Sequence, residues 1–441
     1  MHEFDGVDEN GAKGSGVVKN CNEIKMQIDV QSKKLKSDYR QAYAYHRELF
    51  KDDYPIHSEL GKEKYSYTNT IYKLESKDYI FYEFNTWNFG ASLALTSKDY
   101  VVVEGIHINY CIFENCNIEN IIFRNCSFSG SKFFNVRLQR VIFDKCMFSV
   151  PVMEKGYHEA DDIYYAPTLF ERCIFIGDFI ECDIEHTLFE RANFTLSNFR
   201  NVTLQYSVMD TCVLSSVQMK DCDWRNFSIR NTDIIDIEFS NERLTTVNEN
   251  TLLDYSIKVK RKNSNEKNDS GWIAGTYDDM CLKKAQTIRN ISRLFGENGY
   301  PGYEGELFYR AQIAQLKGLH GGDKLKSALA LIICGYGERP LFTLASIIIT
   351  TLLFGLIYMF SGINAGGDVI KYSLSGSTPV LQVISDYGKC VFFSITTFST
   401  VGYGNYIPLG CMSMVASGIH MFLGVSLCAL FTGCVFRKIV R

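Results

Sequence analysis

Cys111-Ile112-Phe113-Glu114-Asn115, Cys116-Asn117-Ile118-Glu119-Asn120, Ile121-Ile122-Phe123-Arg124-Asn125 and Cys126-Ser127-Phe128-Ser129-Gly130 follow one another without a gap, and their shared phase decides the fold. A large apolar residue stands third in each unit, and the phase continues through Phe133, Leu138, Phe143 and Phe148. Two residues earlier stands a small or medium one: Cys111, Cys116, Ile121, Cys126, Ser131, Val136, Val141 and Cys146. The same phase returns from Cys182 to Asn241 through Phe189, Phe194, Phe199, Leu204, Met209, Leu214, Met219, Trp224, Ile229, Ile234 and Phe239. Phe170, Phe175 and Ile180 fill the interval before a one-residue slip. Neither a helix nor a strand has this period.

A chain that turns a corner every five residues does have it. Four short sides make one square coil of about 20 residues, with the large residue at the coil centre and coils about 4.8 Å apart. The pattern over roughly 101–241 resembles the pentapeptide-repeat family, which implies a right-handed quadrilateral β-helix of six or seven coils, a rod on the order of 30 Å long. A solenoid needs covered ends, and the aromatic, β-branched stretch 66–100 is read as the N-terminal cap. The repeat domain is set at 101–250, with an insertion at 151–167 that carries His158, Glu159, Asp161, Asp162, Tyr164 and Tyr165. That cluster is read as a solvated loop, with a regulatory, metal or partner site as the alternative.

Farther along, Pro340 to Gly367 and Cys390 to Phe436 contain no charged residue. The first run holds a span at 341–363, long enough for about 30 Å of hydrocarbon. The second exceeds one crossing and divides into a short helix at 386–398, a loop, a turn through Asn405-Tyr406-Ile407-Pro408, and a second span at 410–436. The loop is Thr400-Val401-Gly402-Tyr403-Gly404. Non-helical backbone at membrane depth is tolerated where it lines a water-filled path. Rings of such carbonyls replace the hydration shell of a potassium ion, and the glycines allow the backbone angles required. Gly335-Tyr336-Gly337, before the first span, is read as a turn.

Residues 324–441 resemble the two-transmembrane potassium-channel family through Thr400-Val401-Gly402-Tyr403-Gly404, followed by Asn405 and Pro408. The resemblance implies a homotetramer with potassium ions in the filter and no other cofactor or metal. It implies an inner-helix hinge at Gly424, with Cys428, Thr432 and Phe436 lining the path below it. Two departures stand out. Asn405 replaces the family's Asp and Thr396 its pore-helix Glu, so the carboxyl pair behind the filter is missing. The aromatic collar becomes Phe392 and Phe393, which have no N–H to offer the Tyr403 hydroxyl.

Charge sets the expected topology. Lys324, Lys326 and Arg339 precede the first span and Arg437, Lys438 and Arg441 follow the second, so both ends of the pore module at 340–441 face the cytoplasm. Residues 364–385 become an extracellular turret, and 323–339 an interfacial helix on the inner surface. The start Met1-His2-Glu3-Phe4-Asp5 lacks a basic, then apolar, leader, which puts the N-terminal part in the cytoplasm and the chain in the plasma or inner membrane. Most of the fifteen cysteines sit at repeat positions or in the second span. They read as reduced, buried thiols, and neither a CxxC pair nor zinc-ligand spacing occurs.

The remaining segments are a partly disordered, helical N-terminus at 1–65, a linker at 251–277 and a helical hairpin at 278–322. Residues 1–22 read as disordered and 23–50 as a helix packed on the rod or on a neighbouring subunit, through Ile24, Ile28, Leu35, Tyr39 and Tyr43. Within the linker, Lys258 to Ser270 reads as flexible. Asp278 is read as the N-cap of the first hairpin helix and Gly296 as its stop. The hairpin reads either as a carrier of movement to the pore or as a rigid spacer. His420, one turn before Gly424, is a pH-sensor candidate, though such a residue more often stays neutral and bonds a neighbouring helix.

The net charge of -4 gives no hint of nucleic acid. Residues 101–250 hold 22 Asp/Glu against 13 Lys/Arg, and 13 - 22 = -9. The rod is thus acidic but interrupted by basic residues, which suits a surface for a cytoplasmic protein or ligand better than DNA mimicry. No phosphate loop, nucleophile–base set, dinucleotide GxGxxG or spaced arginine series is found, so an enzyme and a voltage sensor are not expected. The reading is a potassium channel gated or modulated by the rod. Its alternative is a membrane-anchored scaffold with an ancillary pore.

Overall fold

The computed structural model describes residues 21–53, 55–60, 74–75, 77–90, 100–152, 164–239, 245–254, 277–373 and 379–440. They form two compact units, Met1–Gly318 and Leu319–Arg441.

The first unit is a four-sided parallel β-helix. Residues one coil apart pair in register, such as Phe113 with Phe133 and Ile118 with Leu138. The large residues stack in columns: Phe113, Phe133, Phe170 and Phe189 follow at centroid distances of 4.7, 4.6 and 5.1 Å. A second column runs Phe123, Phe143, Phe179, Phe199 at 5.4, 5.1 and 4.8 Å. Near-parallel rings at one rung spacing remove almost all of their apolar surface from water. The small residues face inward beside them, where thiols bond carbonyls of the preceding coil, as Cys146 Sγ does Phe123 O at 3.2 Å. Burial pushes the thiols of Cys111, Cys173, Cys212 and Cys222 up to about 12, so they stay protonated.

The corners explain the period. Positive φ recurs every five residues, at Asn115, Asn120, Asn125, Gly130 and Asn135, and again from Glu181 through Asn231. Left-handed backbone costs asparagine less than most residues, which accounts for the frequent asparagine two places after the large residue.

The slip has a specific cause. Between Gln139 and Val141 the register shifts against Ile176 and Gly177, so Arg140 is an extra corner residue with no counterpart. The central residue is therefore Phe179, not Ile180: Phe179 is buried and Ile180 half-buried. A Cβ on Gly177 would overlap the Val141 carbonyl oxygen, so only glycine lets the shortened side lie this close.

Both ends extend past the expected repeats. Tyr79–Ile80, Tyr82–Asn85 and Asn88–Gly90 are rungs of the β-helix, paired with 108–119, where a cap was expected. One face is a nine-stranded sheet beginning at His57–Leu60, so the rod is roughly 40 Å long at strand spacing. Leu252–Leu253, assigned to the linker, form its last rung. The insertion is rooted by Pro151–Val152 pairing antiparallel with Tyr164–Tyr165. His158, Glu159, Asp161 and Asp162 lie outside the described residues, as do residues 1–20 and the Lys258–Ser270 stretch. Among the described residues no group of three or more His, Cys, Asp or Glu side chains could hold a metal ion.

Helix α1 (Cys21–Leu49) lies along the rod and buries Ile24, Ile28 and Leu35. Lys36 reaches Glu190 at 2.6 Å, Asp29 reaches Arg230 at 2.8 Å, and Arg230 also pairs with Asp210.

Helices α2 (Tyr277–Glu297) and α3 (Pro301–Gly318) form the expected hairpin, but as the rod's C-terminal lid. Ala285, Ile288, Ile291 and Leu294 join the rod core. Buried Lys284 meets Asp233 at 2.7 Å. Thr287 Oγ1 accepts from Ile237 N, and Asn298 Oδ1 from Val247 N, at 3.2 and 3.4 Å. Asp278 falls inside the first turn of α2 instead of capping it, and Gly296 lies within the helix. At Gly296 a Cβ would come within 2.8 Å of Glu304, so its role is close approach of the two arms.

The second unit begins with α4 (Gly321–Cys334), whose residues are all exposed or half-buried. It is shorter than the expected interfacial helix, because Gly335–Gly337 forms a tight turn with Tyr336 at φ 56°. Helix α5 (Pro340–Ser361) and helix α7 (Gly410–Val440) are long and apolar enough to cross a membrane. Between them, α6 (Val380–Phe398) starts six residues earlier than expected.

Candidate pore and filter

Helix α6 ends where five consecutive residues leave helical geometry. The C-terminal carbonyls of α6 hold the departing chain: Thr400 N donates to Thr397 O at 3.1 Å, and Val401 N and Gly402 N both donate to Thr396 O, at 3.0 and 3.3 Å. These bonds satisfy carbonyls that a helix end leaves open. Positive φ then recurs at every second residue: 59° at Thr400, 53° at Gly402 and 80° at Gly404. Alternating the hand of the backbone turns successive carbonyls to one side, whereas a regular strand points them alternately. For β-branched Thr400 this geometry is an outlier, and strain of this kind collects at functional sites. Val401 and Tyr403 are 54% and 68% exposed within one chain.

The residues expected to support the filter divide. Phe392 stacks on Tyr403 at 6.2 Å with 6° between planes and touches Tyr406 at 5.2 Å. Phe393 turns away and packs edge-on against Tyr358 of α5 at 4.7 Å, so only one of the pair faces the filter within the chain. The Thr396 hydroxyl bonds back to Phe393 O of its own helix at 3.0 Å. Asn405 acts through its backbone, accepting from Gly366 N at 2.9 Å.

Helix α7 continues unbroken through Gly424. A Cβ at Gly424 would overlap the Phe398 carbonyl oxygen, so this glycine lets α7 touch the end of α6. Gly355 does the same for α5, where a Cβ would meet Val391 at 2.8 Å. Cys428, Thr432 and Phe436 are exposed, and Thr432 bonds to Cys428 O of its own helix. His420 is fully buried, stacked on Phe354 at 4.0 Å, with its Nδ1 3.1 Å from the Tyr358 hydroxyl. It thus bonds the neighbouring span.

Sequence reasoning missed three features. Ile363–Ala365, Asp368–Ile370 and Tyr406–Pro408 form a small antiparallel sheet. Its signal was present: Gly366-Gly367 between two short apolar runs is a two-residue hairpin signature. Arg437 at the end of α7 pairs with Glu338 beside α5 at 3.1 Å. Tyr358 as the partner of His420 carries no such signal, since the two lie far apart in the chain.

With this geometry in view, the chain can be compared with known proteins. Residues 347–441 match the family described as Ion channel. Residues 111–149 and 178–215 match Pentapeptide repeats, in 8 copies. The chain thus carries a region that matches an ion-channel family and, before it, regions that match pentapeptide repeats. No curated protein matches the chain. Among solved structures, QnrB1, a plasmid-mediated fluoroquinolone resistance protein, is 13% identical over 36% of this chain and 92% of its own, with TM-score 0.19. HetL, a pentapeptide repeat protein involved in heterocyst differentiation regulation from the cyanobacterium Nostoc, is 12% identical over 48% of this chain and 92% of its own, with TM-score 0.12. Scores this low add nothing to the coil geometry described above.

Proposed function

We propose that the chain is a potassium-selective channel, assembled from four copies, whose conductance is set by the pentapeptide-repeat rod. The observation that carries this reading is positive φ at 400, 402 and 404 in a Thr-Val-Gly-Tyr-Gly loop held by the end of α6 between two membrane-length helices. Carbonyls turned to one side supply a quarter of each ring that replaces a potassium ion's water. Exposure of Val401 and Tyr403 in the single chain supports neighbouring copies around a shared axis. Gly402 and Gly404 are the residues of the filter with least freedom to change; Cys428, Thr432 and Phe436 line the path, and Gly424 acts as a packing point for α7. Lys324, Lys326, Arg339, Arg437 and Lys438 support a topology with both ends of the pore unit at the cytoplasmic face of the cell membrane. The acidic rod then offers a cytoplasmic protein or ligand its binding surface.

Potassium flux through purified protein in liposomes tests the reading, comparing the full chain with one lacking residues 1–318. The cut falls between the compact units, leaving the lid with the rod. Potassium over sodium discrimination in either form supports the pore, and flux that changes on truncation supports control by the rod. No selective flux in either form sinks the proposal.

A further inference from the structure

One strand of the three-stranded sheet, Tyr406–Pro408, begins two residues beyond Gly404. Side chains of α6 give the filter's far end little support. The Thr396 hydroxyl is engaged within its own helix, and Phe392 offers a ring face without a donor. Backbone bonds supply the connection instead. Asn405 O accepts from Gly366 N at 2.9 Å, Asn364 pairs with Ile407, and Leu409 N donates to Gly362 O at 3.0 Å.

The sheet is itself anchored. Ile363, Ala365 and Ile370 are buried with Tyr358, Met359, Cys390 and Phe393. Tyr372 N donates to Met359 O at 2.9 Å, and the Tyr372 hydroxyl donates to Asp386 of α6 at 2.9 Å. Lys389 of α6 lies 3.3 Å from Asp368 and 3.6 Å from Asp386. The exit of the filter is thereby stitched to the end of α5 and the first half of α6.

We infer that this sheet is the positioning element of the filter: it fixes the far end of Thr400–Gly404 through the backbone, and loosening it costs ion discrimination before it costs assembly. The inference rests on the pore reading above. Gly366, Asn405 and the Ala365–Tyr406 pair are its working parts. Gly366 has φ +65°, whereas proline is confined to about -65° and has no N–H. Gly366→Pro therefore removes the bond to Asn405 O and breaks the hairpin.

The test is liposome flux of potassium against sodium for the full chain, with oligomeric state followed in parallel. Gly366→Pro should lower potassium discrimination by about tenfold, the scale of one lost backbone hydrogen bond, while the oligomer stays as in the unaltered chain. A second variant covers outright misfolding. Ala365 and Tyr406 face each other in register, at a spacing suited to a disulfide. In Gly366→Pro carrying Ala365→Cys/Tyr406→Cys the reduced form should discriminate as poorly as Gly366→Pro and oxidation should restore discrimination, with oxidant alone leaving the unaltered chain unchanged. A selective unaltered chain whose Gly366→Pro form keeps full discrimination, or a cysteine pair indifferent to oxidation, overturns the inference. An unaltered chain that passes sodium as readily as potassium overturns the pore reading, and this one with it.

Discussion

In the rod, one chain completes its own interior, while in the membrane unit the residues that matter most are left uncovered. Phe133 and Phe170 are fully buried by the coils before and after them. Val401 and Tyr403, by contrast, are more than half exposed, as are Met412, Phe422 and Phe436 on α7. Apolar side chains make the contacts in both units. The difference lies in what supplies the other side of each contact. Rung supports rung in the rod, whereas lipid and further copies must do so for the spans and the filter under the proposed function.

The sharpest way to break this contrast is to strain the exposed loop. Gly402→Ala places a Cβ at φ +53°, at about 1–3 kcal/mol in each copy of the proposed assembly. Potassium flux should fall by about a hundredfold, while the melting profile of the rod stays unchanged. Phe170→Ala should do the reverse, costing about 3–5 kcal/mol in denaturant unfolding of the rod and leaving potassium discrimination intact. Gly177→Ala belongs to the same side, at about 1–3 kcal/mol, because its Cβ would overlap the Val141 carbonyl.

The smallest effect concerns pH. His186 is stacked between Tyr165 and Tyr206 at 3.8 and 4.9 Å. Burial, with a smaller contribution from Lys34, lowers its pKa from 6.5 to about 4. Protonation then favours the unfolded chain, so the stability it contributes is present above about 6.5 and lost as the pH falls toward 4. Thermal melts should lose on the order of 1–2 kcal/mol across that window, after allowance for partial exposure. His186→Phe should flatten the step. An unchanged slope would mean the stack is not the titrating element.

The rod was legible because its physics is local and repeated. One central phenylalanine per five residues declares the coil, and the corner asparagines at 115, 120, 125 and 135 repeat the message in backbone terms. Legibility failed where one residue changed the count: a missing corner beside Gly177 moved the inward position from Ile180 to Phe179. The ends were also misjudged, since a rung such as Leu252–Leu253 is defined by its partner across the coil and has no period of its own. In the membrane unit the filter motif and the two long helices were readable. The sheet that joins residues 363–370 to 406–408 was not, apart from its glycine pair, because pairing across α6 leaves no pattern in either segment. Gly424 shows the same limit. The resemblance implies a bend there, and a contact with Phe398, which only glycine permits, carried no sign in the sequence.

The lid formed by α2 and α3 has a consequence for how far such a rod can grow. Every rung presents to the next an identical row of donors and acceptors, so an open end is a template for more of the same, supplied by this chain or another. Thr287 and Asn298 occupy donors of the final coil with side chains that offer no further row. The lid thus closes an edge that the repeat itself contains no instruction to close, and removing it leaves that edge open to pairing with another chain.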